Sequence, residues 1–163
     1  MRSLIAFTLL LSACGGGDPA DVAGNYTISL TNRENGCSFM NWTEGETSTG
    51  IPVVITQGVD AEADTATAVV NGGAGLYLDV VLGSRTYTGE VDGSNLHLTL
   101  YGTNSFNQSA CTYTVNSEID ASLDGDVLEG NLLYHTSTNG SPDCGTLEGC
   151  ESRQEFNGTR PPT

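Results

Sequence analysis

Between Cys111 and Leu123 the chain keeps a two-residue rhythm. Tyr113, Val115, Ile119, Ala121 and Leu123 share one parity; Thr112, Thr114, Asn116, Glu118, Asp120 and Ser122 share the other. Successive side chains of extended backbone point to opposite faces, so a run of this length is a strand with one buried and one wet face. The same rhythm returns along the chain. Tyr26, Ile28 and Leu30 carry it first, then Leu76, Leu78, Val80 and Leu82, then Leu96, Leu98 and Leu100, then Leu128, Leu132 and Tyr134, with Phe156 anchoring the last segment. No helical period of useful length is visible.

The predicted strands are roughly 24–31, 37–42, 51–57, 65–71, 75–82, 85–91, 95–102, 111–123, 126–136 and 152–159. Asp92-Gly93 and Asp124-Gly125 are hairpin turn pairs, and Asn71-Gly72-Gly73 is a third expected turn. The 21 glycines, with abundant Thr, Ser and Asn, suit strands and tight turns. Strands joined in chain order form a meander. An even count lets the first and last pair antiparallel and removes the exposed edges. The expected fold class is therefore all-β: an antiparallel up-and-down meander barrel of about 8–10 strands, with a two-sheet β-sandwich as the alternative. In pattern it resembles the calycin or lipocalin type of small barrel.

Residues 1–13, MRSLIAFTLLLSA, are a secretory leader: Arg2 followed by an apolar run. Leu11-Ser12-Ala13-Cys14 resembles the lipobox of bacterial lipoproteins. That resemblance implies cleavage before Cys14, a diacylglycerol on its sulfur, and an acylated amino group. With Gly15 rather than Asp after the cysteine, it also implies sorting to the outer membrane. Residues 14–23 then form the lipidated cysteine and a flexible tether, Gly15-Gly16-Gly17-Asp18-Pro19 being its core. Residues 15–23 reach roughly 30 Å when fully extended. A single barrel domain over 24–160 and a short tail, 161–163, complete the organisation.

Setting Cys14 aside leaves Cys37, Cys111, Cys144 and Cys150, an even number expected to form two disulfides in an oxidising compartment. No CxxC pair is present to suggest zinc. Let the upper end of the barrel be the one where the first strand begins. In the ten-strand meander the tether, the C-terminus and the turns at 71–74, 92–94 and 124–125 lie at that end. The connections 32–36, 58–64, 103–110 and 137–151 lie at the lower end, and so do all four cysteines. The preferred pairs are Cys37–Cys111 and Cys144–Cys150, the latter closing CGTLEGC. The alternative sends Cys37 and Cys111 each to the 137–151 connection.

The net charge is -15, with no lysine; after the leader only Arg33, Arg85, Arg153 and Arg160 are basic. Such a surface repels phosphate backbones and anionic headgroups, so nucleic acid is not an expected partner. No nucleophile elbow, His-Glu-x-x-His or phosphate loop occurs. His97 and His135 fall on outward parity. Asp92-Gly93-Ser94-Asn95 and Asp124-Gly125-Asp126 read as turns, short of the ligand set a calcium loop needs. Phe39 and Trp42 are either wall packing or a binding anchor. The expectation is a lipid-anchored envelope protein without cofactor or metal. It is a non-catalytic barrel for an apolar or sugar-like ligand, or a filled interaction module for another envelope protein. A hydrolytic enzyme is the least supported reading. An internal void of some hundreds of Å³ separates the first from the second.

Overall fold

The computed structural model describes residues 18–162. The leader 1–13, Cys14, Gly15 to Gly17 and Thr163 lie outside the described residues. The strands are β1 (Gly24–Asn35), β2 (Thr47–Gln57), β3 (Thr65–Val70), β4 (Thr86–Asp92), β5 (Asn95–Leu100), β6 (Phe106–Gln108), β7 (Cys111–Asp124), β8 (Val127–Thr138) and β9 (Glu151–Thr159); α1 (Gly72–Val81) is the helix. Neighbours pair antiparallel in chain order, except that β5 pairs with β7 and β9 returns to β1. Eight strands thus close into a barrel, with the short β6 beside the lower part of β7 as an extra strand. The fold is the closed meander, not the sandwich.

Parity decides which residues enter the barrel. On β7 the odd residues turn inward, with Cys111, Val115, Ser117 and Ala121 buried. Tyr26 and Ile28 do the same on β1, Tyr87 and Val91 on β4, and Leu96, Leu98 and Leu100 on β5. The Asp92/Asn95 and Asp124/Val127 closures place Gly93 and Gly125, both at positive φ, in the expected two-residue turns.

Two predicted strands are absent. Residues 37–42 lie in the β1–β2 connection, where Ser38 and Asn41 take positive φ. The Asn35 side chain holds that turn, accepting from Phe39 N and donating to Phe39 O at 2.8 and 2.9 Å. The segment 75–82 falls mostly in α1. Its apolar residues are spaced by two, but Leu78 and Leu82 are also four apart and both are buried. Leu76 and Val80, likewise four apart, are exposed. A helix places each pair on its own face. Asn71-Gly72-Gly73 therefore opens a helix rather than a hairpin. Gly83 ends it at φ 84, its N–H donating to Asp79 O, and the Asn104 amide donates to Val80 O at 2.8 Å.

Losing one strand before 51–57 and one before 85–91 reverses strand direction only between them. The 58–64 connection moves to the upper end and α1 to the lower end. All later directions stand, and the four cysteines do gather at the lower end.

The tether is shorter than expected. Val22 is fully buried at the upper end, where its carbonyl accepts from the Tyr26 hydroxyl and its N–H donates to Gln57 Oε1. The Gln57 amide also donates to Ala20 O, and Arg160 donates to Ala23 O while lying over the Tyr26 ring. Residues 20–23 are thus a packed plug of the upper end, because Val22 gains a buried site that a solvated tether lacks.

Candidate functional site

The barrel is hollow. A cavity of about 400 Å³ runs inside it, from Ile55, Leu96 and Leu128 near the upper end to Ser48, Tyr134 and Gln154 at the lower. Its wall is otherwise mostly aliphatic, with Tyr87 and Phe156 among the lining residues, and is completed by α1 through Ala74, Tyr77 and Leu78. Val22 and Tyr26 close the upper end, so the opening is at the lower one.

Three polar pairs face inward. The Tyr87 hydroxyl bonds the fully buried Ser117 Oγ at 3.1 Å. Tyr134 donates to Gln154 Oε1 at 2.9 Å, and Gln154 Nε2 donates to Asn32 Oδ1 at 2.6 Å. Among the described residues no buried side-chain polar atom lacks a partner. Burial pushes the Tyr87 phenol up to about 12 and holds Tyr134 well above the ordinary 10, so both are neutral at physiological pH. No Asp, Glu, His, Lys or Arg is among the residues described as lining the cavity.

Each described arginine is engaged with a carboxylate. Arg33 meets Glu155 at 2.7 Å, Arg85 meets Asp79 at 3.5 Å, Arg153 meets Glu34 at 2.8 Å and Arg160 meets Asp126 at 3.2 Å. The Arg153 hydrogen bond holds the Glu34 carboxyl down at about 2.

Phe39 and Trp42 pack as wall. Both rings meet Tyr134 edge-on with centroids 6.1 Å apart, and the indole N–H donates to Arg33 O at 2.9 Å. Trp42, the one tryptophan of the chain, therefore stands against a cavity-lining tyrosine.

The disulfides are Cys37–Cys150 and Cys111–Cys144. The preferred pairs, Cys37–Cys111 and Cys144–Cys150, do not form; the alternative, with both reaching the 137–151 connection, does. The reason is strand order. Cys37 follows β1 and Cys111 opens β7, with β9 and β8 lying between. At about 4.8 Å per strand spacing they are roughly 14 Å apart, twice what a disulfide spans. Cys150 precedes β9, the neighbour of β1, and Cys37 N donates to Ser152 Oγ across that pair. The 3-10 turn Pro142–Leu147 carries Cys144 back towards β7.

A second concavity, about 470 Å³, lies on the outer wall among Glu90, Asp92, His97, Asp120 and Glu129. It is a wet, open groove. No group of three or more His, Cys, Asp or Glu positioned for a metal occurs among the described residues. His97 Nδ1 bonds Asp120 Oδ1 at 2.6 Å, and that bond raises the imidazole above its ordinary 6.5. A raised folded value adds stability that is complete below pH 6.5 and fades as pH climbs through the folded value. NMR titration is expected to find His97 above 6.5, and Asp120→Asn to return it towards 6.5. His135 is also outward, 3.9 Å from Glu151.

No protein-family model, curated protein or solved structure matches the chain. The inward polar residues Ser117, Gln154 and Asn32 were not legible as a set. The available signal was a polar residue occupying an apolar parity slot, as Ser117 does between Val115 and Ile119.

Proposed function

We propose that this protein is a non-catalytic binding barrel that holds a small apolar ligand in its interior, anchored to the cell envelope through a lipid on Cys14. The carrying observation is the apolar cavity of about 400 Å³ inside the barrel, open to solvent. Small barrels of eight strands ordinarily fill with their own side chains, and ligand pockets begin at about this size. An interaction module with a working outer surface has no use for the void, which forfeits dispersion contacts along its lining.

The anchor rests on the leader and the Leu11-Ser12-Ala13-Cys14 motif; the two disulfides agree with an oxidising compartment. The outer membrane, implied by Gly15, is the proposed address. The chain joins the barrel at the plugged end, so the mouth points away from the anchor. In a bacterial host, Cys14→Ser is expected to abolish the acyl mass and release the protein into the soluble envelope fraction.

The ligand reading is tested with N-phenylnaphthylamine, an uncharged apolar fluorophore, on purified protein carrying Cys14→Ser. One saturable site is expected. Ala68→Phe, which sends a ring into the cavity from β3, is expected to weaken binding at least roughly tenfold. The variant should keep or raise its unfolding temperature, because it fills space. Binding untouched by Ala68→Phe would place the dye elsewhere and remove the support for the reading.

A further inference from the structure

We infer that the ligand is an uncharged single-chain amphiphile, a monoacylglycerol or long-chain alcohol, held tail-inward with its hydroxyl head against Gln154 and Tyr134 at the mouth. This rests on the reading of the cavity as a ligand site and names the ligand's class.

The shape is the first ground. Leu128 and Tyr134 both line the cavity and lie six residues apart on β8. At about 3.3 Å per residue and a tilt of about 40°, the lining extends roughly 15 Å along the barrel axis. A volume of about 400 Å³ over such a length is a bore about 6 Å wide, the section of one hydrocarbon chain.

The charge is the second. An anionic head at the mouth meets no counter-ion, since each described arginine is already bound to a carboxylate. The chain's net charge of -15 repels it further. A cationic head finds no carboxylate in the lining. Taking either charge out of water without a partner costs more than a hydroxyl, which needs only hydrogen bonds.

Those bonds are available. Of the two Gln154 amide protons one goes to Asn32 Oδ1; the other remains to donate. Tyr134 spends its proton on Gln154 and keeps lone pairs to accept. Gln154 and Tyr134 sit at one end of a bore lined otherwise mainly by aliphatic and aromatic side chains, as an amphiphile requires. Around the same end the surface turns apolar: α1 exposes Leu76, Tyr77 and Val80, and Tyr101 is exposed on the connection whose Asn104 caps that helix.

The experiment is displacement of N-phenylnaphthylamine, followed with Trp42 emission, on the disulfide-bonded chain carrying Cys14→Ser. Monolauroylglycerol and dodecanol, whose extended chains match the bore in length, are expected to displace the dye and shift Trp42 emission. Laurate at neutral pH and dodecyltrimethylammonium are expected to be weaker by roughly tenfold or more. Gln154→Leu should weaken monolauroylglycerol roughly tenfold more than it weakens the dye, with an unchanged circular dichroism spectrum and a cooperative unfolding transition reporting that the variant is folded. Laurate binding as tightly as monolauroylglycerol overturns the inference, as does a Gln154→Leu variant with undiminished monolauroylglycerol affinity. Dye bound in the cavity but displaced by none of the chain amphiphiles overturns it too, leaving the ligand-binding reading intact. A protein that binds neither dye nor amphiphile sinks both.

Discussion

Replacing Cys37 and Cys150 together by serine is expected to lower the unfolding free energy by about 5 kcal/mol, and replacing Cys111 and Cys144 by about 4 kcal/mol. The difference follows from the loops that the two bridges close in the unfolded chain, with sequence separations of 113 and 33 residues. The longer loop forfeits more chain entropy when tied. A domain of this size has about 5–15 kcal/mol in total, so the first variant is expected to be marginal at 37 °C. Urea unfolding of the two double variants against the parent measures both values. Both bridges also tie the same connection, 139–150, to the lower end of the barrel. Their joint loss is therefore expected to fray the mouth before the plugged end, visible as faster amide exchange in β6 than in β5. Equal and negligible losses for the two bridges would contradict this account of the lower end.

Gly130→Ala and Gly89→Ala are expected to cost about 3 kcal/mol each, at the upper end of what overpacking costs. Both glycines take the inward parity of their strands. A Cβ on Gly130 would press into Asp120 O and lie 2.6 Å from Ala121 Cα; one on Gly89 would press into His97 O and lie 2.9 Å from Leu98 Cα. Ala121 and Leu98 are their cross-strand partners on β7 and β5. These are the places where neighbouring strands coil so closely that no side chain fits between them. Backbone rather than a movable side chain is in the way, so relaxation requires moving β5 or β7. Gly73→Ala provides the opposite sign. Nothing lies within 4 Å of a Cβ there, its φ is ordinary and it sits in the first turn of α1. That substitution is expected to stabilise by about 0.5–1 kcal/mol through helix propensity. Thermal unfolding of the three variants reads all three signs.

Much of the barrel was legible because alternation is a local property. The inward set of β7 and both two-residue hairpin turns could be read from the residues in order. The helix could not: Leu76, Leu78, Val80 and Leu82 satisfy a strand and two faces of a helix equally well, and only the space across the end of the barrel decides. Residues 37–42 misled for a different reason. Phe39 and Trp42 supply apolar content without a lattice partner, and the positive-φ residues Ser38 and Asn41 turn them onto Tyr134. The disulfide pairing was within reach. Once strand order is accepted, β1 and β7 are not neighbours, and the bridge between their ends is ruled out by distance. The cavity was out of reach, because parity says which side chains point inward but not whether they meet.

That last question carries the central claim, a hollow barrel that binds in its interior. Methyl NMR on the Cys14→Ser protein during titration with N-phenylnaphthylamine tests it most directly. Shifts are expected at Ile28, Leu98, Leu132 and the other inward methyls, saturating at one ligand per chain, with the His97 imidazole protons of the outer groove, followed in the same titration, unmoved. Shifts confined to exposed methyls such as those of Leu76 and Val80, or to the outer groove, with the inward methyls still, would contradict it.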